Sequence, residues 1–325
     1  MAPLRNLKAG GNAFCYNGQM DFYLIDGNSY FYRAYHAIKV LSNSKGFPTN
    51  AIYGFTTMLL KIIREKKPDA LAITFDSPGP TERHRLYEAY KAQRPAPPPD
   101  LIAQIPRIKE VIRAFRVPTF EMQGYEADDI ICTIARQAAG QGANVFIVTG
   151  DKDMMQAVDD RVKIYDPMKD IIIGREQVME RFGVSPERVP EVMALTGDAV
   201  DNIPGVKGIG EKTAKELLLE AGSLDELIAH PEKIKKERLR KMVLESIQDI
   251  HLSRTLATID VNVPVSVELQ DLNVQEPDWP ALTALFLEFE FKTLLKLVPS
   301  GGQGPRGDYF TITSREELLG FLRGA

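Results

Sequence analysis

At 325 residues, with 44% apolar content and a net charge of −4, the chain is long enough for two globular domains that need no covalent staples. Its two cysteines, Cys15 and Cys132, are too few for a disulfide framework or a zinc site and fit a reducing cytoplasm. The chain opens on no apolar signal-peptide core and holds no run of membrane-spanning length, so neither export nor a membrane partner is expected.

Residues 1–20 are Gly- and Asn-rich without a clear period and read as a disordered extension. From residue 21 to about 185, strand and helix patterns alternate, which predicts an α/β core around a parallel sheet. Three apolar runs read as buried strands, and each ends in an acid: Phe22-Tyr23-Leu24-Ile25-Asp26, Leu71-Ala72-Ile73-Thr74-Phe75-Asp76 and Val145-Phe146-Ile147-Val148-Thr149-Gly150-Asp151. Helices are predicted over 50–65 with Thr49 as cap, over 100–115 with Asp100 as cap, and over 128–139. After about 186 the strand signals fade into short helices, so 186–299 reads as a helical subdomain. A Gly-rich linker near 300–305 precedes the expected start of a further, truncated domain.

Working groups of open α/β sheets sit at the carboxyl ends of the strands. Asp26, Asp76 and Asp151 are therefore predicted at one sheet edge, with Asp153 close by. Two more acidic clusters, Glu126-Ala127-Asp128-Asp129 and Asp198-Ala199-Val200-Asp201, bring the set to nine carboxylates; with them set aside, the net charge of −4 becomes +5. Carboxylates crowded together repel unless cations separate them. The pattern predicts a site for Mg²⁺ or Mn²⁺, and two such ions can clamp the attacking and leaving oxygens of a phosphoryl displacement. Some of the nine would then hold metal-bound waters rather than metal. Taken singly, each cluster has a plainer reading: strand-end turns for Asp26 and Asp76, dipole complements at a helix start for Glu126, Asp128 and Asp129, caps for Asp198 and Asp201. Their joint occurrence is what points to metal. The four histidines, His36, His84, His230 and His251, show no metal-ligand spacing.

The segment Gly205-Val206-Lys207-Gly208-Ile209-Gly210-Glu211-Lys212-Thr213 nearly matches a P-loop, but Glu211 stands where the lysine must follow the second glycine. It reads instead as two short helices joined by a tight turn, whose exposed amides would bind phosphate with help from Lys207, Lys212 and Lys215. Helical spacing places Arg83, Tyr87 and Tyr90 on one stripe, with Lys91 and Arg94 beside it, a combination suited to single-stranded nucleic acid. A solvated surface helix is the alternative reading of that stripe.

Together, Leu24-Ile25-Asp26-Gly27-Asn28-Ser29, Thr74-Phe75-Asp76, Tyr90-Lys91-Ala92-Gln93-Arg94-Pro95, Gly124-Tyr125-Glu126-Ala127-Asp128-Asp129, Thr149-Gly150-Asp151-Lys152-Asp153 and the 195–214 stretch closely resemble the flap endonuclease family, specifically the 5′-nuclease domain of bacterial DNA polymerase I. The resemblance implies a PIN-like nuclease core with a helical arch, followed by a helix-three-turn-helix DNA-binding subdomain. It implies that all nine acids belong to the metal site, that Lys91 and Arg94 position the scissile phosphate, and that Arg33 lies near the reaction. It also implies that the 205–213 turn, with Gly205, Lys207, Gly208, Gly210, Lys212 and Thr213, grips duplex backbone with K⁺ often bound there; the charge and aromatic patterns add Arg83, Tyr90 and Lys215 to the expected DNA contacts. The expected activity is metal-dependent cleavage of 5′ flaps and 5′-terminal nucleotides, RNA primers included, on branched or nicked duplex DNA, by a cytoplasmic monomer. The stretch Ser77-Pro78-Gly79-Pro80 departs from the family's commoner sequence at the strand exit. An inert binder of branched DNA is the alternative, and such a protein would be expected to lose metal acids that this chain keeps.

Overall fold

The computed structural model describes residues 20–299, so the expectations for 1–19 and 300–325 lie outside the described residues. Its centre is a six-stranded sheet built from β1 (Asp21–Asp26), β2 (Ala70–Thr74), β3 (Thr119–Phe120), β4 (Asn144–Val148), β5 (Val162–Asp166) and β6 (Ile171–Ile173). The order is β3-β2-β1-β4-β5-β6, parallel throughout except for the β5–β6 pair. The chain builds outward from β1 in one direction and then from β1 in the other. The topological switch point therefore falls between β1 and β4, where such sheets open a crevice.

The period-two alternation of side chains divides the strands between two cores. Phe22, Leu24, Ala70, Ala72, Val145 and Ile147 face α5 (Ala127–Gly140) and the helices that follow the sheet. Tyr23, Ile25, Leu71, Ile73 and Val148 face α1 (Gly27–Ala37), α2 (Asn50–Lys61) and α4 (Pro99–Ala114).

Two expected caps are replaced. Thr49 precedes α2, but its hydroxyl makes no cap bond; the buried Gln104 side chain accepts from the Ala51 and Ile52 N–H groups instead, at 2.8 and 3.2 Å. α4 starts one residue before Asp100, whose carboxylate takes the Tyr35 hydroxyl at 2.9 Å. The helical stripe expected through Arg83, Tyr87 and Tyr90 stops early: α3 (Glu82–Leu86) ends as Tyr87 turns extended, and turns follow to residue 93.

The helices α6 (Arg175–Phe182), α7 (Val189–Thr196), α8 (Glu211–Ala221), α9 (Leu224–Ala229), α10 (Glu237–Glu245) and α11 (Ile247–Ala257) share the α5-side core. The stretch expected as one helical subdomain is divided. α12 (Trp279–Glu288) and α13 (Lys292–Leu295) return to the opposite face, where Leu282, Phe286 and Phe291 pack with α2 and α4. The connection between the two faces is held by a polar stripe along α5. Asp129, Thr133, Gln137 and Gln141 recur every four residues and hydrogen-bond successive backbone groups of the 260–269 segment. No helix among the described residues is long and apolar enough to cross a membrane.

Candidate metal and nucleic-acid site

Register brings the strand-end acids together. Asp26 pairs with Thr74, two residues before Asp76, and Ile25 pairs with Val148, three residues before Asp151. All three acids thus leave the sheet at the same edge, and Asp26 and Asp151 flank the switch point. Asp26 is buried; its oxygens accept from the Ser29 N–H at 2.9 Å and the Thr149 hydroxyl at 3.0 Å. Burial nevertheless pushes its carboxyl up to about 6, with Asp76 and Asp151 adding to the rise. Asp76 is held by Asn28, which donates to it at 2.6 Å and accepts its N–H at 3.1 Å, and by the Ala127 N–H at 2.7 Å. Its carboxyl is also raised, chiefly by burial, while Lys91 and Arg94 oppose the rise.

The start of α5 separates three adjacent acids into three roles. Asp128 accepts no hydrogen bond from any described residue, and burial together with Asp151, Asp26 and Asp76 holds its carboxyl well above the ordinary range, Lys91 opposing. Glu126 caps the helix and gathers Lys91 at 2.9 Å, the Tyr90 hydroxyl at 3.1 Å and Arg83 at 3.4 Å. Asp129 is engaged differently from the other expected metal acids. Both of its oxygens take the Arg83 fork at 2.7 Å and backbone N–H groups of Asp260 and Glu126 at 2.9 and 3.2 Å. Its side chain is the first rung of the α5 stripe, and that four-residue spacing is the sequence signal that separates it from Asp128.

The same geometry corrects two expected DNA contacts. Arg83 is consumed by Asp129, Glu126 and the Leu256 and Thr258 carbonyls, and Tyr90 is buried with 3% of its surface exposed. Neither presents a face to a base.

Of the remaining acids, Asp198 and Asp201 stand with cations and Asp153 does not. Asp153 lies on the 3₁₀ turn Asp153–Ala157; its Oδ1 is buried without a partner, and burial and Asp151 raise the carboxyl to about 7. Asp198 behaves oppositely. Burial works to raise its carboxyl, but the Val200 N–H at 2.8 Å and Lys152 at 3.2 Å outweigh that and hold it below the usual range. Asp201 accepts from Arg94 Nε at 3.0 Å and lies 3.9 Å from Lys91. Arg33, on α1, packs its guanidinium against Gly150, where a Cβ would stand 2.1 Å from Nη2, and its Nη1 is buried without a partner. Three residues of the family-like motifs gain roles here: Asn28 partners Asp76, Thr149 partners Asp26 and Lys152 partners Asp198.

Among the described residues, no three acid, His or Cys side chains stand around one point as a finished metal cage. The donor set still fits a hard divalent ion: carboxylate oxygens only, a buried orphan oxygen on Asp153, an unbonded Asp128, and mutual repulsion that a cation would relieve.

The glycine turn lies beyond Asp201. Gly205 has φ +57, and a Cβ there would meet the Gly197 nitrogen at 2.2 Å, so two backbones cross at this point. Gly210 precedes α8; Lys207, Gly208, Gly210 and Lys212 are exposed, Thr213 and Lys215 half-buried, and Gly205 buried.

Residues 21–183 match the family described as "5'-3' exonuclease, N-terminal resolvase-like domain", and residues 184–280 match "5'-3' exonuclease, C-terminal SAM fold". The chain is 40% identical over 278 residues to the 5'-3' exonuclease of Aquifex aeolicus, covering 85% of this chain and 94% of that protein. It is 43% identical over 284 residues to the DNA polymerase I of Rhizobium leguminosarum, but spans only 28% of that polymerase. The T5 D15 protein crystallised with metal ions shares the fold at TM-score 0.61 and 19% identity, covering 86% of this chain and 100% of that one. The catalytic core of Rad2 in complex with DNA substrate does so at TM-score 0.59 and 15% identity, covering 84% and 89%. This chain belongs to the 5'-3' exonuclease family of phosphodiester hydrolases.

Proposed function

We propose that the chain is a divalent-metal-dependent, structure-selective 5′ nuclease that cuts 5′ flaps and trims 5′ ends, RNA primers included, on duplex DNA during replication and repair. The observation that carries this reading is the parallel register that delivers Asp26, Asp76 and Asp151 to one sheet edge, with the Asp26, Asp76 and Asp128 carboxyls raised by burial and by neighbouring acids. Asp26, Asp76, Asp128, Asp151 and Asp153 would hold Mg²⁺ or Mn²⁺. Bound divalent ions would supply the charge that lets these carboxylates ionise together and would polarise the scissile phosphate.

The chain's own cations complete the site. Burial alone would lower the Lys91 ammonium, but Glu126, Asp201 and Asp128 keep it raised, so it stays charged and points into the acids. A phosphodiester entering there exchanges one anion for another on Lys91 and Arg94, which then face the charge that builds on the phosphate oxygens. The exposed amides and lysines of the 205–213 turn suit a duplex phosphate backbone, with K⁺ at the 205–210 carbonyls as part of the same reading. Similarity to polymerases that are much longer than this chain supports a place as one part of such an enzyme.

The test is a 5′-labelled flap duplex incubated with and without Mg²⁺ or Mn²⁺. Metal-dependent release of the flap near the junction is expected; an uncut substrate under both conditions overturns the reading. Lys91→Ala should lower the single-turnover rate on saturating flap on the order of a hundredfold, with affinity changed less than about threefold, because the contact strengthens in the transition state. A loss confined to affinity would make Lys91 a simple phosphate grip.

A further inference from the structure

Beyond Arg254, whose carbonyl takes the Thr258 N–H and hydroxyl, the carboxyl end of α11 is capped by side chains of the nuclease core. The last carbonyls of a helix have no partner within it. Here Leu256 O accepts from Arg83 Nε at 2.9 Å, Ala257 O from Gln156 Nε2 at 2.9 Å, and Thr258 O from Arg83 Nη2 at 2.9 Å. The next two N–H groups continue the pattern: Ile259 donates to Gln156 Oε1 at 3.0 Å and Asp260 to Asp129 Oδ1 at 2.9 Å. Five successive backbone groups are thus bound by three side chains, and a guanidinium at this end also suits the helix dipole.

Each of those side chains adjoins a site acid. Arg83 touches Glu126, Asp129 follows Asp128, and Gln156 also donates to the Asp153 carbonyl at 3.0 Å. One turn earlier on α11, the fully buried Ser253 hydroxyl accepts the Gly205 N–H at 2.9 Å. The glycine turn and the acid-bearing elements are therefore attached to one short helix, one turn apart.

Resting on the function proposed above, we propose that α11 is a brace that carries duplex seating at the 205–213 turn to the catalytic acids, with Gln156 as a positioning residue. Among the described residues Gln156 hydrogen-bonds to backbone groups and to no acid side chain. It fixes the 3₁₀ turn that bears Asp153 to the end of the brace. A duplex pressing on the glycine turn shifts or stiffens α11, and Gln156 transmits that to Asp153. The site is then assembled fully only on DNA that carries a duplex beside the single strand, which gives structure selectivity without a base contact.

Two substrates separate transmission from local support: a 5′-flap duplex, and the flap strand alone, which seats nothing on the glycine turn. Gln156→Met keeps the side-chain volume and removes all of its hydrogen bonds. It should lower the maximal single-turnover rate on the flap duplex about tenfold, leave flap affinity within about threefold, and leave the slow single-strand rate within about twofold. Gln156→Glu keeps an acceptor for the Ile259 N–H and loses the donor to the Ala257 and Asp153 carbonyls, so it should fall between native and Gln156→Met. Parallel loss on both substrates, or no loss on either, overturns the brace. Amide hydrogen exchange reads it without cleavage: in chelator, duplex DNA should slow exchange in the 153–157 turn of the native chain but not in Gln156→Met. An unresponsive turn in the native chain overturns the brace even if cleavage is normal. A responsive turn in a protein that cuts neither substrate would sink the nuclease reading and leave the brace standing.

Discussion

Asp128→Asn should reduce metal-dependent cleavage on the order of a thousandfold while raising thermal stability in chelator. Both effects have one source. Asp128 accepts no hydrogen bond from the described residues and is pressed by Asp151, Asp26 and Asp76. Its charge is a liability to the folded chain on its own and an asset only when cations arrive. The amide keeps the shape, removes the repulsion, and cannot supply an anionic oxygen to a divalent ion. Flap affinity should change less than about threefold, since duplex binding is assigned to the distant lysines of the glycine turn. Near-normal turnover would remove the basis of the mechanism.

The neighbouring substitution separates metal acid from structural acid. Asp129→Asn leaves the Arg83 guanidinium, 12% exposed, without its bidentate partner. Breaking a buried pair from one side costs about 3–5 kcal/mol. Asp129→Asn is therefore expected to melt lower, with cleavage failing through loss of the fold rather than of the metal. A variant with native melting and no cleavage would return Asp129 to the metal set. Thermal melts and single-turnover rates on both proteins decide the matter.

The contrast between these two residues marks how far the sequence can be read. The strands were legible because a parallel sheet covered on both faces requires contiguous apolar runs, and the working edge follows from where those runs end. Asp26, Asp76 and Asp151 were placed by that rule alone. Asp129 was not, because its partner Asp260 lies 131 residues away, and the four-residue polar spacing along α5 does not by itself name what the stripe binds. Arg83 and Tyr90 fail for the same reason: a cation and an aromatic near a site look like nucleic-acid contacts until Glu126, Asp129 and the end of α11 are seen to enclose them. Thr49 has the composition of a cap, yet a glutamine 53 residues from Ala51 performs the task. The helical stripe through Tyr90 breaks at Tyr87, which turns extended after Leu86, and Lys91 at φ +57 lies beyond that break with its ammonium on Glu126. In each case local pattern gave the residue type and tertiary contact gave the role.

Melting temperature in chelator should fall as pH rises from about 5 to about 7.5, and millimolar Mg²⁺ or Mn²⁺ should flatten or reverse that slope. The sign follows from the raised carboxyls. Asp26 titrates at about 6 and Asp153 at about 7, with Asp76 and Asp128 raised as well, against an ordinary value of 3.8 in the unfolded chain. Between those limits the folded state holds more protons than the unfolded one, so stability declines with rising pH. The lowered Asp198 acts the other way, but its window lies below 3.8 and does not overlap. One pKa unit corresponds to about 1.4 kcal/mol, so two or three raised groups amount to a shift of roughly 5–10 °C for a chain of this size. Divalent ions bind the ionised form, which adds stability where the protein alone loses it. A chelator profile that rises across the same interval would mean that these acids are already neutralised by Lys91, Arg94 and Lys152. The case for a repulsive cluster awaiting metal would then fall with it.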